Sequence, residues 1–469
     1  MPKKYHIETT PIPPRFYPVG KYTTIEFRED CAGSCRECVK KKCVYNVFKD
    51  NYSHITAMKE PEYLYECMSC FRCVQECTKA IFSRVINPEY RILGDEYWNP
   101  DIIHRTWYQA HTGAIPVSGS GYGGRFSGPG YDSIWTDMSE IVRPTRDGIH
   151  GREYINTSIE LSRRPERLSF NEDMSLAVDV PPIMEVPVPV LFQPPELGIV
   201  NENVLKSLAK AASTMGTLMF IRPEIVTDDL KQYGPTLIPC LTKETLGKYQ
   251  DLVDASVMIE LAHEPGIEKE FSRIRKMKEN IFISVGVPLN ADAASIAIEL
   301  TKGGVDTVHF YADHHGTELV SKKPMFIKDA IRKIHLALVD ASVRQRVNLI
   351  VTGGVAMAEH VNKSILCGVD GVVIDYPLLI AMECRLCFSC NKGLPCPVKV
   401  GEVDPEYGSA RIINLMAAWR NQMLEMLGAM GLREVRRLRG EVGRSLWLED
   451  LENENFAPIF GERKVPFDF

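Results

Sequence analysis

The stretch GVVIDYPLLIAMECRLCFSCNKGLPCP, residues 371–397, joins two features that organise the whole chain. It opens with an uninterrupted apolar run, 371–375, of the kind found in strands that are buried on both faces of a sheet. Four cysteines follow in the pattern C-x2-C-x2-C-x5-C, and a proline comes directly after the last one. The first feature predicts a buried parallel strand, and the second predicts a metal centre just behind it. The four cysteines are Cys384, Cys387, Cys390 and Cys396.

Seven similar apolar runs precede this strand and alternate with segments of helical period. Continuous apolar strands separated by helices indicate a parallel sheet, and eight β/α units close a TIM barrel. We therefore predict an α/β chain built on a (β/α)8 TIM barrel. The predicted strands are 188–192, 217–221, 235–239, 255–260, 281–285, 306–310, 347–352 and 371–375.

The composition is that of an ordinary globular protein, with 45% hydrophobic and 25% charged residues in a chain of 469. A net charge of −6 gives no electrostatic basis for binding nucleic acid or an anionic membrane. The N-terminal residues lack the apolar core of a signal peptide, and no apolar run reaches the length of a membrane span. These features predict a soluble, cytoplasmic protein with no nucleic-acid partner and no membrane insertion.

Fourteen cysteines in such a compartment indicate metal binding rather than a disulfide framework. Two of them, Cys240 and Cys367, stand alone and are expected to be small buried side chains. Eight others form two N-terminal groups, and the second group has the C-x2-C-x2-C-x3-C spacing of bacterial ferredoxins. The first group is Cys31, Cys35, Cys38 and Cys43, and the second is Cys67, Cys70, Cys73 and Cys77.

In the ferredoxin arrangement, three cysteines of one motif share a cluster with the last cysteine of the other. The predicted ligand sets are Cys31, Cys35, Cys38 with Cys77, and Cys67, Cys70, Cys73 with Cys43. A longer first gap, and Val44 and Thr78 in place of prolines, depart from the ferredoxin pattern. Zinc is the alternative metal, because paired C-x2-C motifs also form Zn(Cys)4 sites. The prediction is two [4Fe-4S] clusters in this module and one [4Fe-4S] or [3Fe-4S] cluster at 384–396.

A glycine pattern that imitates a dinucleotide site lies between these cysteines and the barrel. Gly119, Gly121 and Gly124 match G-x-G-x-x-G, but no convincing strand precedes them. The Gly-Pro-Gly sequence at 128–130 also prevents the helix whose N-terminus would hold a pyrophosphate. We interpret the segment as an ordered loop that packs between domains.

Two stretches that flank the barrel are similar to those of a known family. They are GYDSIWTDMSEIVRPTRDGIHGREYINTSIEL, residues 130–161, and MGLREVRRLRGEVGRSLWLEDLE, residues 430–452. Over roughly residues 115–450 the chain resembles the FMN-binding central domain of the glutamate synthase large subunit, with the two-cluster ferredoxin-like module attached in front. The resemblance implies a TIM barrel with FMN at its mouth, and the barrel agrees with the strand count.

Active sites of TIM barrels lie where the strands end, and phosphate is often held after strands seven and eight. Here those positions are Gly353 and Gly354 after strand seven, and Asp375 and Tyr376 after strand eight. These four residues are the candidate FMN phosphate region. The glycine pair suits close approach to a phosphate, whereas the carboxylate of Asp375, where the family usually has Gly-Thr, repels one. The sequence leaves FMN binding open.

Other positions that contact cofactor or substrate in the resembled family also differ. Gly286 stands where strand five usually ends in a flavin-contacting lysine, and residues 314–318 replace a glycine-rich turn after strand six. We interpret His314 and His315 as a loop-exposed or hydrogen-bonded pair whose side chains diverge, with a proton relay or metal site as the alternative. If a small ligand binds, the mouth is lined by His263, Glu264, Asp313, His314, His315 and Asp375.

The leading functional prediction is an iron–sulfur electron-transfer subunit of a multi-subunit oxidoreductase. Its partners would be other redox subunits, with a ferredoxin or a flavoprotein among the candidates. One alternative is an FMN-dependent glutamate synthase-type catalytic subunit that uses 2-oxoglutarate and ammonia from elsewhere. Another alternative is a non-catalytic scaffold barrel.

The predicted organisation has five parts: a two-cluster module over 1–110, a Gly-rich linker and barrel entry over 111–185, the barrel over 186–383, the third iron–sulfur loop over 384–400 and a helical extension over 401–469. The methionine-rich helical run of that extension is expected to pack on the barrel or on a partner. The basic run 433–439 is expected to be a solvated face, with recognition of an acidic partner as the alternative.

Overall fold

Eight strands of the chain close a barrel, and helices surround it in the computed structural model. A buried apolar cluster extends from the barrel interior to the helices around it and to the C-terminal helix. The structure describes residues 5–16, 19–25, 71–76, 84–115, 130–136, 154–164, 168–177 and 181–461.

The barrel strands, β1–β8 in chain order, are all parallel, and each pairs with the next until β8 pairs with β1. Nearly all of their side chains are buried, because one face of the sheet fills the barrel and the other is covered by helices. This confirms the predicted fold class. The strands are β1 Val190–Phe192, β2 Met219–Ile221, β3 Leu237–Leu241, β4 Met258–Ala262, β5 Phe282–Pro288, β6 Thr307–Tyr311, β7 Asn348–Thr352 and β8 Gly371–Ile374.

The strand bounds differ from the predicted ones by a few residues, most of all in β5. Its predicted end at 285 is wrong, because the ladder to β6 continues through the pairs Gly286–His309 and Pro288–Tyr311. A Cβ on Gly286 would lie 2.8 Å from the Tyr311 ring and 3.2 Å from the Glu260 carboxylate. Gly286 is therefore an inward-facing position of the strand whose space is already taken by two neighbouring side chains.

Helices follow the strands and cover the outer face of the barrel. In the first of them, the Asn201 side chain accepts the N–H of Val204, and Gly216 ends the helix in the left-handed region. Within the described residues, no helix is both long and apolar enough to cross a membrane. The barrel helices are α1 Glu202–Met215, α2 Asp228–Lys231, α3 Gln250–Ala255, α4 Glu268–Met277, α5 Ala293–Lys302, α6 Ile327–Asp340, α7 Ala358–Cys367 and α8 Tyr376–Ala381.

The C-terminal extension forms one long helix, α9, over Pro405–Ala429, which packs on α1 and on an N-terminal helix, Pro100–Thr112. This confirms the predicted packing on the barrel. Arg411 of α9 is fully buried, and its guanidinium donates to the C=O groups of Ala381 and Ile12 at 2.6 and 2.9 Å. One cation therefore joins the end of α8 to the N-terminal segment.

The basic run 433–439 forms the predicted solvated face only in part, because Arg433 and Arg437 are exposed whereas Arg436 and Arg439 are partly buried. Arg436 lies 2.5 Å from Glu160, and Arg439 forms an ion pair with Asp370. Both acids belong to the barrel or its entry segment, so the chain itself neutralises two cations of this run. Little free positive charge from these two arginines is left for an acidic partner.

Shorter elements lie outside the barrel. Strand Tyr22–Ile25 pairs antiparallel with Arg84–Ile86, and the chain between them carries the eight N-terminal cysteines. The other strand pairs are Ile134–Thr136 with Ser445–Trp447 and Ile159–Glu160 with Glu185–Val186, and the short helices are Arg72–Gln75, Pro88–Arg91, Leu448–Leu451 and Ala457–Phe460.

Candidate functional site

The C-terminal strand ends meet at one mouth of the barrel, and residues 94–98, here called the mouth cover, are bonded to the turns after β6 and β7. The Tyr97 hydroxyl donates to the C=O of Gly354, and Trp98 Nε1 donates to the C=O of His314 at 2.8 Å. The Trp98 ring also lies 5.3 Å from the ring of Tyr376, between centroids. No pattern in the sequence indicated this cover, which reaches the region where phosphate was expected.

Gly353 and Gly354 follow β7 as predicted, but they pack closely against the turn after β6. Their φ angles are 110° and 66°, in the region that favours glycine. A Cβ on Gly353 would lie 2.3 Å from the C=O oxygen of Asp313, and one on Gly354 would lie 2.7 Å from the Cα of Gly316. The contact between the turns after β6 and β7 therefore requires both glycines.

Asp375 and Tyr376 lie at the end of β8, next to that glycine pair across the β7–β8 ladder. The Asp375 carboxylate caps α8 by accepting the Tyr376 N–H at 2.6 Å. Burial raises the pKa of Asp375 to about 6, because it disfavours the charged form. These residues do not fit an FMN phosphate, since a second anion would add repulsion beside a carboxylate that burial already destabilises.

A polar network that the sequence reasoning missed lies inside the barrel and converges on Glu260 of β4. Glu260 is 3% exposed, and its Oε2 lies 2.8 Å from His309 Nδ1 and 3.1 Å from Ser284 Oγ. The Tyr311 hydroxyl donates to Oε1, and His309 Nε2 lies 2.5 Å from Thr352 Oγ1. An acid and an imidazole in contact, shielded from water, form an arrangement suited to proton transfer.

The signal for this network was present in the sequence. Glu260 stands in MIELA and His309 in TVHFY, each flanked by apolar residues of a strand. A titratable side chain in a buried strand needs a hydrogen-bonding partner, so two of them in one barrel indicate a shared polar site.

A cavity of about 540 Å³ opens at the ends of β1, β2 and β3, beside the network. Among its lining residues, Gln193 lies 3.4 Å from the Thr352 hydroxyl, between Oε1 and Oγ1. Cys240 also lines it, and the Cys240 Sγ lies 3.7 Å from Glu260 Oε1. The cavity therefore reaches the buried network through two side chains. Cavities of this size with few convergent polar groups are typical small-ligand sites.

The two isolated cysteines differ from each other. Cys367 is buried, as expected, in α7. Cys240 is only partly buried because it faces the cavity, and this departs from the expected simple core side chain. Burial and the nearby Glu260 raise the pKa of Cys240 well above its usual value. Cys240 is therefore a neutral thiol that donates to Glu260.

The remaining predicted mouth residues lie at strand ends but do not form one site. The Glu264 carboxylate lies 3.8 Å from Lys243 Nζ. The backbone N–H of His263 donates to the C=O of Gly286. His315 Nε2 lies 2.9 Å from a carboxylate oxygen of Asp95, so the expectation of a hydrogen-bonded histidine is confirmed for His315. Asp313 accepts the backbone N–H groups of His315 and Thr317, which fixes the turn after β6.

The third cysteine group forms a loop directly after α8. Cys384 is buried, Cys387 is exposed, and Cys390 and Cys396 are intermediate. The backbone turns between them through non-glycine residues of positive φ, among them Leu386 at 47°. The Leu386 N–H lies 3.4 Å from the Cys384 Sγ, the type of contact that stabilises a metal-bound thiolate.

The electrostatics of this loop also suit a metal centre. Burial, with further contributions from the other three cysteines, raises the pKa of Cys384 to about 12. A thiol in this position ionises only beside a strong positive charge, and a bound metal supplies one. The four cysteines lie in one loop with an N–H directed at one of the sulfurs, and an iron–sulfur cluster on them stays a prediction.

The segments that flank the N-terminal cysteines are both bonded to this loop. The Arg15 backbone N–H and Nε donate to the two carboxylate oxygens of Glu383 at 2.6 and 2.8 Å. On the other flank, the Gly94 N–H donates to the C=O of Arg385 at 3.2 Å. The eight cysteines lie between residues 15 and 94 in the sequence, so a described residue on each side of them is bonded to this loop or to the residue before it.

Several predictions fall on residues that the structure does not describe. For Cys73, in the helix Arg72–Gln75, only the backbone is described. The glycine pattern at 119–124 also lies outside the described residues. The ligand pairing of the two N-terminal clusters therefore stays a prediction. The cysteines outside the described residues are Cys31, Cys35, Cys38, Cys43, Cys67, Cys70 and Cys77.

Comparison with known proteins finds a family that resembles the second part of the barrel and the C-terminal helix. The family model described as the conserved region in glutamate synthase matches residues 251–433. The archaeal glutamate synthase [NADPH] of Archaeoglobus fulgidus is 26% identical, over 92% of this chain and 95% of the relative. The chain is similar to the glutamate synthase family.

The match to the glutamate synthase family extends over most of the chain. The archaeal-type glutamate synthase [NADPH] of Dehalococcoides mccartyi is 25% identical, over 88% of this chain and 92% of the relative. Among solved structures, a flavocytochrome b2 variant with sulfite bound has a TM-score of 0.46 and 13% identity, over 78% of this chain and 83% of the other. These matches confirm the resemblance to glutamate synthase drawn from residues 130–161 and 430–452, and the relatives are named as members of an oxidoreductase family.

Proposed function

We propose that the chain is an iron–sulfur electron-transfer subunit of a multi-subunit oxidoreductase, built on a glutamate synthase-like barrel. The observation that carries the proposal is the attachment of both flanks of the eight-cysteine segment to the third cysteine loop. Arg15 binds Glu383 on one flank, and Gly94 binds Arg385 on the other. Both ends of the chain that carries the eight cysteines are thus held at the third cysteine loop, as an electron path between the groups requires.

The exposure of the third loop supports a role in passing electrons to another protein. Cys384 is buried against the barrel, whereas Cys387 is exposed to solvent. Leu394, in the same loop, is 55% exposed. A cluster on this loop would have one edge inside the protein and one edge accessible to a redox partner. Such a partner would be another subunit of the complex, a ferredoxin or a flavoprotein.

The altered mouth supports electron transfer without a flavin in this barrel. Gly353 and Gly354 pack against a neighbouring turn, Tyr97 binds Gly354, and Asp375 puts a carboxylate where the family places phosphate-binding residues. These contacts argue against FMN phosphate binding at this region. A flavin, if the complex uses one, would then belong to a partner.

Iron content and redox spectroscopy of anaerobically purified protein test the proposal. We expect about twelve irons per chain, from three four-iron clusters, with broad visible absorption that bleaches on reduction. Replacing Cys390 by Ser should remove about four irons, whereas the matched variant Cys367→Ser should remove none. Zinc in place of iron, or flavin released by acid in one-to-one amount, would contradict the proposal.

Catalysis of the glutamate synthase type is the second candidate, and the cavity at β1–β3 favours it. The cavity reaches the contact between Glu260 and His309 through Gln193 and Cys240, which places a proton donor or acceptor near a bound ligand. Two relatives are named glutamate synthase [NADPH]. Formation of glutamate from 2-oxoglutarate and ammonia with reduced ferredoxin, lost in His309→Gln, would favour this candidate over pure electron transfer.

A further inference from the structure

We propose that Asp95, His314 and His315 form a binding site for a divalent transition metal, with Zn²⁺ as the representative ion. Each residue offers one ligand atom, and these atoms all lie within 4.8 Å of one another. Asp95 belongs to the mouth cover, and the histidines belong to the turn after β6, so the site joins two segments distant in sequence. It contains no cysteine, and it shares no residue with the predicted iron–sulfur ligand sets.

The carboxylate of Asp95 is held in the orientation that a ligand needs. Its Oδ1 accepts the backbone N–H groups of Tyr97 and Trp98 at 2.9 and 2.8 Å. Its Oδ2 is thereby directed at His315 Nε2, 2.9 Å away. Such outer hydrogen bonds orient metal ligands and contribute to affinity. A metal ion would replace the proton that Asp95 and His315 now share.

The two histidines are also brought to the same side of the turn. Their ring centroids are 4.0 Å apart, contrary to the expectation that adjacent histidine side chains diverge. The Asp313 carboxylate fixes the His315 N–H, and Trp98 Nε1 fixes the C=O of His314. In the described part of the chain, the ring nitrogens of His314 have no hydrogen-bonding partner. The His314 side chain is exposed, so an ion from solvent has access to it.

The donor set selects the class of metal. Two imidazoles and one carboxylate suit Zn²⁺ and the neighbouring divalent ions such as Fe²⁺ and Co²⁺, whereas Ca²⁺ and Mg²⁺ prefer oxygen ligands. Three protein ligands leave at least one coordination position for water or another small ligand. Metal bound here would cross-link the mouth cover to the barrel turn after β6.

Zinc titration of the full-length protein, anaerobically purified with its iron in place, tests the site. We expect one Zn²⁺ per chain, and binding that is at least about 10–100-fold weaker in Asp95→Asn and in His315→Gln. Asparagine keeps the oxygen that accepts from Tyr97 and Trp98, so the mouth cover should remain folded. His263→Gln, a change at another mouth histidine, is the matched control and should bind as the unaltered protein does.

X-ray absorption at the zinc edge identifies the ligands independently. We expect nitrogen and oxygen at about 2.0–2.1 Å, with imidazole scattering and no sulfur at about 2.3 Å. Sulfur ligation, absence of zinc binding, or equal affinity in the variants and the control would overturn the proposal. Iron content, measured on the same samples, reports separately on the proposed electron-transfer function, since these variants should leave it unchanged.

Discussion

Arg15 and Glu383, 368 positions apart in the chain, bind each other through two hydrogen bonds, one of which is an ion pair. The Glu383 side chain is 6% exposed and that of Arg15 is 23% exposed, so water screens the pair only in part. Glu383 immediately precedes the first cysteine of the third group. The N-terminal segment thus binds the residue that directly precedes the predicted third cluster site.

Removing the contact between Arg15 and Glu383 should lower the free energy of unfolding. We expect Glu383→Ala to cost about 1–3 kcal/mol, because it leaves a partly buried arginine without its carboxylate. The measurement is the apparent melting temperature under anaerobic conditions. Glu402→Ala is the control, since Glu402 belongs to an exposed pair with Lys399 and should change stability by less than about 1 kcal/mol. Equal changes in melting temperature for the two variants would refute a stabilising role of the Arg15–Glu383 pair.

The glycine pair after β7 makes a steric prediction. Gly353→Ala places a methyl group 2.3 Å from the Asp313 C=O oxygen in a residue of φ 110°. We expect a loss of about 2–4 kcal/mol from overlap and backbone strain. A Cβ on Gly247 meets nothing within 4 Å, so Gly247→Ala should leave the melting temperature within a degree or two. A harmless Gly353→Ala would show that the two turns are not in contact.

Asp375 makes a pH-dependent prediction. Its pKa is about 6 in the folded protein, against 3.8 for an unperturbed aspartate, so the folded protein binds more protons between these values than the unfolded chain does. The stability contribution of Asp375 therefore falls as pH rises from about 4 to 6 and is constant above that range. Asp375→Asn keeps an oxygen that can cap α8 and should stabilise by roughly 1–3 kcal/mol at pH 8. That advantage should shrink toward pH 5 in thermal scans, and a constant difference from pH 5 to 8 would contradict it.

The thiol of Cys240 should be unreactive despite its position in the cavity. Burial and Glu260 raise the pKa of Cys240, and each unit of increase lowers the thiolate fraction about tenfold at neutral pH. We expect iodoacetamide to modify Cys240 at least about tenfold more slowly than free cysteine, by peptide mass spectrometry. Glu260→Gln removes the negative charge and should accelerate the reaction, whereas the buried Cys367 should stay unmodified. Fast alkylation of Cys240 in the unaltered protein would contradict this account.

The barrel was predictable because its signal is repeated along the chain. Eight apolar runs, each buried on both faces, leave few other ways to hide that much apolar surface. Strand ends were less predictable because the ladder of β5 continues through Gly286, which looks like a strand breaker in sequence. Residues on the adjacent strands determine whether β5 continues through Gly286, and the sequence alone does not show which residues are adjacent in the sheet.

The mouth was harder to predict than the barrel for a related reason. Its cover comes from residues 94–98, far from β6 and β7 in sequence, and nothing in Tyr97 or Trp98 shows which carbonyl groups they bind. The same holds for the convergence of His314 and His315, which depends on the turn around Asp313. Glu260 and His309 were visible as polar residues in apolar strands, but their contact follows only from the order of β4 and β6 around the ring.

The contact of Arg411 with the N-terminal segment limits the order in which parts of the protein can form during synthesis. The Arg411 guanidinium binds the C=O of Ile12, 399 positions earlier in the chain. At typical synthesis rates the ribosome needs about 20–80 s to add that many residues. The first eight cysteines therefore emerge well before the surface that anchors their segment exists. The contact between Arg411 and Ile12 therefore forms only after the whole barrel has been synthesised.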